Sequence, residues 1–346
     1  MRILLIGPHP PPHGGISVHV SGVYRQLMAA GVTCRVLDMS RVRPGLGFVS
    51  AVLRHAFEGW TLHFHTNGHN VKSWLLALGC GLAGQFRGGS ILTLHSGMLP
   101  GYLETAPSWH RRLAAFTCSL YRRVICVSPE IKTALLSLGL ESQSMEVLPA
   151  FLGTEKSEVS PESGLVAWIE QHRPLFSTVL FFRPEYGFDL LVAGLARMRC
   201  RYPSFGCLVM GSGEQRAEAE KRVRNAGLEQ SILLLGDVDH ETCLALMSAC
   251  DVFLRPTIED GDSISVREAL SLGVPVVASR VGMRPSGAIL FRPGDVDEML
   301  AKIELAMAVK RGGQSSAGDL AAGTCMDRLM EIYREVDRSE GSLCLN

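Results

Sequence analysis

The chain has 346 residues, enough for two domains with full cores at about 150 residues each. Hydrophobic residues make up 47% and charged residues 20%, which excludes a disordered chain, and no run of 18 or more apolar residues marks a membrane span. Formal net charge is zero, but residues 1–150 hold 13 Lys+Arg against 6 Asp+Glu, a net of +7, leaving 21 against 28, a net of −7, for the other 196.

In chain order, Met1-Arg2-Ile3-Leu4-Leu5-Ile6-Gly7 reads as a first core strand. Its apolar run is too short for a signal peptide, so a cytoplasmic protein is expected. Gly14 and Gly15 fall in the loop after it, apolar residues at helical spacing fill 16–30, and 32–37 is the next strand. Strand, glycine loop, helix and strand in this succession form a βαβ unit. The alternation predicts further helices over 48–59, 74–82, 109–121 and 129–138, and strands over 61–64, 91–94, 124–127 and 146–148. A polar stretch, 149–163, reads as a linker. A second set follows, with strands over 178–182, 206–210, 232–235, 251–254, 274–278 and 288–291 and helices over 187–202, 214–226, 240–248 and 296–309. A Gly/Ser-rich connector, 311–323, precedes a last helix over 326–336. The fold class is therefore α/β, with parallel doubly wound sheets and ligands at the carboxyl ends of strands. The ten cysteines show no C-x-x-C pair and no zinc-type spacing, and read as reduced thiols packed as small hydrophobes.

The stretch 255–270 draws the chain together. A short strand runs into a turn rich in acids and serines, and a helix follows that stops at Gly273. Free amides at such a helix start, with the positive end of the helix dipole, suit a phosphate. The amides of Gly261, Asp262, Ser263, Ile264 and Ser265 are the candidates. Glu268, one turn further in, suits a diol, and Asp260 at the lip of the turn suits a polar ligand. Locally a structural reading is equally open, because Ser265-x-x-Glu268 is also a capping box.

Further motifs flank that stretch: Gly14-Gly15-Ile16-Ser17, Thr93-Leu94-His95-Ser96-Gly97, Val147-Leu148-Pro149, Val209-Met210-Gly211-Ser212-Gly213-Glu214, and a continuous Glu268-Ala269-Leu270-Ser271-Leu272-Gly273-Val274-Pro275-Val276-Val277-Ala278-Ser279. In this order and spacing they resemble the family-4 type of retaining glycosyltransferases (glycosyl transferase group 1) over nearly the whole chain. The resemblance implies the GT-B fold, two Rossmann-like domains facing a cleft. An acceptor domain would span 1–150 and a nucleotide-sugar donor domain 151–325, with helix 326–338 packing back on the first. It also implies roles. Backbone at Gly14, Gly15 and Gly211 would approach the donor, Glu268 would accept from ribose hydroxyls, and Asp260 would meet the donor sugar. Amides from Gly261 to Ser265 would hold sugar and phosphate, and His95 would face the sugar. Backbone near Gly236-Asp237-Val238 would contact the base.

Two positions depart from the family. Its first signature acid is usually glutamate and is Asp260 here. Its Arg and Lys, five residues apart, fall on Phe181 and Tyr186, which leaves Arg183, helped by Arg267, to neutralise a diphosphate. The resemblance implies a UDP- or GDP-linked donor, no cofactor and no metal. His63, His65 and His69 lack matching acids and read as core or loop side chains. The acceptor expected is a saccharide or lipid-linked saccharide of polysaccharide or glycolipid assembly, not nucleic acid. The basic first half, with Arg111-Arg112 and Arg122-Arg123 flanking an apolar helix, suits peripheral contact with the inner membrane face. A solvated helix face, or attraction between the two halves, fits the same charges. A nucleotide-sugar epimerase and a non-catalytic sugar-nucleotide binder stay open as alternatives. A dinucleotide oxidoreductase is disfavoured, since residues 7–15 lack G-x-G-x-x-G.

Overall fold

Strands buried on both faces need apolar runs rather than alternation, and the first half supplies them. In a computed structural model describing residues 1–41, 45–151, 153, 157, 159–308 and 322–341, the chain divides into two units. The first joins Met1–Leu152 to Leu320–Asn346, and the second is Gly153–Asp319. The first unit alternates β1 (Arg2–Gly7), α1 (Gly15–Ala29), β2 (Thr33–Asp38), α2 (Leu46–Phe57), β3 (Thr61–Thr66), α3 (Val71–Ala83) and β4 (Ser90–Leu94). It continues with α4 (Leu99–Thr105), α5 (Ser108–Ser119), β5 (Arg123–Cys126), α6 (Pro129–Leu136) and β6 (Met145–Val147). The sheet is parallel throughout in the order β2-β1-β3-β4-β5-β6.

The second unit runs α7 (Ser163–Gln171), β7 (Leu175–Val179), α8 (Phe188–Met198), β8 (Gly206–Met210), α9 (Arg216–Asn225), β9 (Ile232–Gly236) and α10 (His240–Ala249). Then come β10 (Val252–Arg255), α11 (Ile264–Ser271), β11 (Val276–Ser279), β12 (Ile289–Phe291) and α12 (Val296–Ala308). Its parallel order, β12-β11-β10-β7-β8-β9, reverses direction between β7 and β10. The first sheet reverses between β1 and β3. Such switch points open a crevice at the carboxyl ends of the strands, which is where ligands bind in sheets of this kind.

Helix α13 (Ala322–Gly341) belongs to the first unit. Cys325, Met326, Leu329, Ile332, Tyr333 and Val336 repeat at helical spacing, and this stripe joins Ile3, Leu5, Val20, Val23 and Leu27 in one core. Arg328 grips Glu146 through two nitrogens at 2.6 and 2.8 Å, and Arg123 reaches Glu335 at 2.9 Å. The connector expected over 311–323 lies outside the described residues as far as 321, as does part of the linker expected over 149–163. Among the described residues, no helix is long and apolar enough to cross a membrane.

Two differences from the sequence expectation stand out. The strand expected over 178–182 is β7 at Leu175–Val179, because Leu175 and Phe176 begin the buried run while Leu180 and Phe182 are buried in the loop beyond it. Helices α4 and α7 were not expected at all; both are short, and each sits beside prolines and polar residues that mask its apolar spacing.

That loop closes on a glycine. Gly187 has φ +69°, and a Cβ there would collide with the carbonyl oxygen of Pro256, just past β10. Gly187→Ala should therefore cost about 1–3 kcal/mol from backbone strain, with the collision adding to it. The check is the apparent Tm, and an unchanged value would show that the loop can move off β10.

Candidate functional site

The β7/β10 switch point is where the acidic turn lies. Strand β10 ends in Arg255, the turn carries Thr257, Asp260 and Asp262, and α11 starts at Ile264 with Ser263 as its N-cap. No side chain caps that helix start. The capping box open in the sequence does not form: Ser265 Oγ meets Ser263 Oγ at 3.2 Å, and Glu268 turns elsewhere. Its Oε1 lies 2.6 Å from Nε2 of His240, the first residue of α10, in a pocket where Glu268 is 5% exposed. His240 was missed by sequence reasoning. Its only signal is a position just after the Gly236-Asp237-Val238 turn already assigned to the donor.

Asp260 is half-buried and paired, with its side chain 13% exposed. Its Oδ2 accepts from Arg255 Nε at 3.0 Å and from Arg284 Nη2 at 3.1 Å, with Thr257 Oγ1 at 3.4 Å. Burial pushes the Asp260 carboxyl up, but the two guanidiniums outweigh it and hold it below the usual carboxylate value. Burial, partly offset by Asp260, lowers Arg284 from the ordinary arginine value. Two cations on one carboxylate leave a surplus positive charge at the strand ends. Arg284 comes from the loop after β11, and Gly282 makes that approach possible: it has φ +57°, and a Cβ there would meet the carbonyl oxygens of Asp260 and Gly261.

Two arginines from other elements thus stand near the β7–α8 loop, in which Phe181 and Tyr186 hold the positions of the family's basic pair. Tyr186 holds one of the two positions, and the Arg255 guanidinium sits 5.2 Å from its ring centroid. Arg183 is exposed, stacks 5.8 Å from the Phe181 centroid, and has no carboxylate partner among the described residues. Arg267, by contrast, is committed. Its Nε bonds the buried Asp262 carboxylate at 2.7 Å, while its Nη2 is buried without a hydrogen-bond partner. Gly211, with φ +132°, donates its N–H to Gly236 O at 2.7 Å and lies against Leu180 O. Val238 is half-buried in the turn after β9.

In the first unit, Gly15 opens α1 and Gly14 is its N-cap. The Gly14 N–H is taken by Ser17 Oγ at 2.9 Å, whereas a Cβ on Gly15 would meet nothing within 4 Å among the described residues. Neither packing nor dihedral angle within the chain requires glycine at 15. His95 follows β4, and its Nε2 meets His65 Nδ1 at 3.2 Å. Burial first, then His19 and His63, hold His95 well below the usual imidazole value, so it is neutral near pH 7.

Residues 173–308 match the family model described as glycosyl transferases group 1. A phosphatidylinositol N-acetylglucosaminyltransferase subunit from Arabidopsis thaliana is 24% identical over 227 residues, 63% of this chain and 48% of that protein. The 2-deoxystreptamine glucosyltransferase of Streptomyces kanamyceticus is 28% identical over 217 residues, 59% of this chain and 52% of that protein. The chain thus spans about half the length of these curated relatives. In structure it is similar to Anabaena Alr3699/HepE in complex with UDP-glucose, at TM-score 0.69 and 16% identity, covering 99% of each chain. An α,α-trehalose-phosphate synthase (UDP-forming) from Burkholderia vietnamiensis gives TM-score 0.71 at 14% identity over 98% of each chain. The segment that holds Arg183, His240, Arg255, Asp260, Glu268 and Arg284 therefore matches the glycosyl transferases of group 1, within a chain whose fold is that of the GT-B glycosyltransferases.

Proposed function

We propose that the protein is a retaining glycosyltransferase that moves a hexose-type sugar from a UDP- or GDP-linked donor to a saccharide or lipid-linked saccharide. One observation carries this reading: inside the matched segment, an uncapped helix start lies next to a buried carboxylate and an arginine-rich turn at the β7/β10 switch point. Amides of α11 and of Gly261 to Ser265 bind the sugar and phosphates, and Glu268, held by His240, takes the ribose hydroxyls. The Arg255–Arg284 surplus and Arg183 offset the charge that grows on the departing diphosphate. Asp260 orients the arginines and presents its remaining oxygen to the sugar.

Transfer on the face the nucleotide leaves needs no covalent nucleophile, since the departing phosphate oxygen takes the acceptor proton. No metal is required for that step. In the first unit, Gly15 and neutral His95 are the residues to which the family resemblance assigns contacts with a diphosphate and a sugar. Gly211 and Val238 lie on the base side. A membrane-borne acceptor is supported by α5, where Trp109 and Phe116 are 55% and 56% exposed beside exposed Arg111 and Arg112. Arg123, engaged by Glu335, takes no part in it.

A thermal-shift panel of UDP, GDP, ADP and CDP with their common sugars identifies the donor. Donor cleavage without any acceptor would instead mark an epimerase. Arg183→Ala should lower turnover about a hundredfold, the usual cost of one charge-stabilising donor, with Tm nearly unchanged because the side chain is exposed. Full turnover in that variant would assign the phosphates to Arg255 and Arg284 alone. Binding without transfer in the wild type would favour the non-catalytic reading that Phe181 and Tyr186 keep open.

A further inference from the structure

Four histidines meet at the β1/β3 switch point of the first unit, and the proposed transfer uses only one. His63 is satisfied, with Nδ1 at 2.6 Å from Tyr333 Oη and Nε2 at 2.7 Å from Thr93 Oγ1. The other three form a triangle. Ring centroids of His19 and His65, His19 and His95, and His65 and His95 are 5.4, 5.3 and 5.5 Å apart. Each ring offers a nitrogen within 4.8 Å of those of the other two. Imidazoles on a tetrahedral zinc, at 2.0–2.1 Å per bond, place their centroids about 5.2 Å apart and their ligand nitrogens about 3.3 Å apart. The His65–His95 nitrogens already stand at 3.2 Å.

Two further observations point to a cation. His19 Nδ1 lies 2.7 Å from the carbonyl oxygen of Ala150, so that nitrogen must carry the proton and donate it. The tautomer is thereby fixed with the Nε2 lone pair free, the outer-sphere bond that metal-binding histidines usually make. His65 is buried and turns Nδ1 to His95 Nε2, so Nδ1 is its ligand nitrogen and Nε2 keeps the proton. A cation between the three rings takes up the lone pairs that they turn towards one another. His95, partly exposed at the end of β4, gives the ion a way in.

We propose that His19, His65 and His95 form a three-histidine site for a divalent transition ion of the zinc class, with its fourth position open to water or an anion. Imidazole sets of this kind suit zinc rather than magnesium or calcium. The ligands come from α1, β3 and the end of β4, so no single spacing in the sequence displays them.

The test uses the full chain stripped with a chelator and titrated with cobalt(II) as the probe. One equivalent should give the intense visible bands of tetrahedral cobalt, and zinc should bleach them. His95→Gln and His19→Gln should each lose the bands while circular dichroism stays native, and His110→Gln, on α5, should keep them. A wild-type spectrum with only weak octahedral absorption overturns the proposal, as do bands that persist in His95→Gln. The readout needs neither nucleotide nor acceptor, so its failure would leave the transferase reading untouched, and the reverse holds too.

Discussion

Glu268→Ala should abolish the stabilisation that the correct nucleotide sugar confers, while the variant remains folded. Ligand at 100 times Kd raises stability by about 2.7 kcal/mol in the wild type. Each hydrogen bond from a ribose hydroxyl to a carboxylate is worth about 1.5–3 kcal/mol, so losing a bidentate diol contact weakens affinity by at least about a hundredfold. The fold should survive because Glu268 is at the second turn of a short helix and its carboxylate is met by a side chain, His240, not by backbone. Removing the carboxylate leaves an imidazole that is 24% exposed, not a buried orphan. Thermal shift with the full nucleotide panel measures this. A variant that still responds fully to the same nucleotide would remove Glu268 from the ribose, and with it the reason for placing the nucleoside on this side of α11.

Much of the fold was legible because its signals are local. Parallel strands buried on both faces read as apolar runs, and β8 was expected over the same residues, 206–210, that it occupies. The stripe on α13 declared a helix, and the core it joins lies in the first unit. β7 was misplaced for a physical reason. Leu180 and Phe182 are as buried as strand residues, but they line the loop whose path is set by Gly187, Gly211 and Gly213. Hydrophobicity reports burial and is silent on whether a buried residue pairs with a neighbouring strand.

The site was legible in its parts and not in its pairings. Asp260 and Glu268 could be picked out from a spacing, yet their partners, Arg284 and His240, come from 24 and 28 residues away in sequence. The same limit hid the histidine triangle. His63 and His65 are visible as a pair on one strand face, whereas His19 and His95 reach it only through the packing of α1 and the register that sets His65 beside Thr93. Arg183 shows the converse. It was chosen for proximity to the missing basic pair, and the structure adds two arginines that the motif could not name.

The larger structural consequence concerns Asp260→Ala. Arg255 and Arg284 have side chains 9% and 3% exposed, and one carboxylate serves both. Deleting it strands two buried cations, and removing one member of a buried ion pair costs about 3–5 kcal/mol. The remaining bonds of Arg284, to Thr257 Oγ1 and the Ser279 carbonyl, hold the guanidinium in place without neutralising it. Relaxation is therefore limited. Acid should erase the difference between wild type and variant. Asp260 has a folded value below the ordinary one, so its contribution is complete above the unfolded value, near pH 4, and fades as pH falls through the folded value. Urea unfolding at pH 7 and at several pH values below 4 measures this: the two proteins should be far apart at pH 7 and converge in acid. A gap that stayed constant down to pH 2 would mean that the charge on Asp260 stabilises nothing, and that the arginines are held by their neutral partners alone.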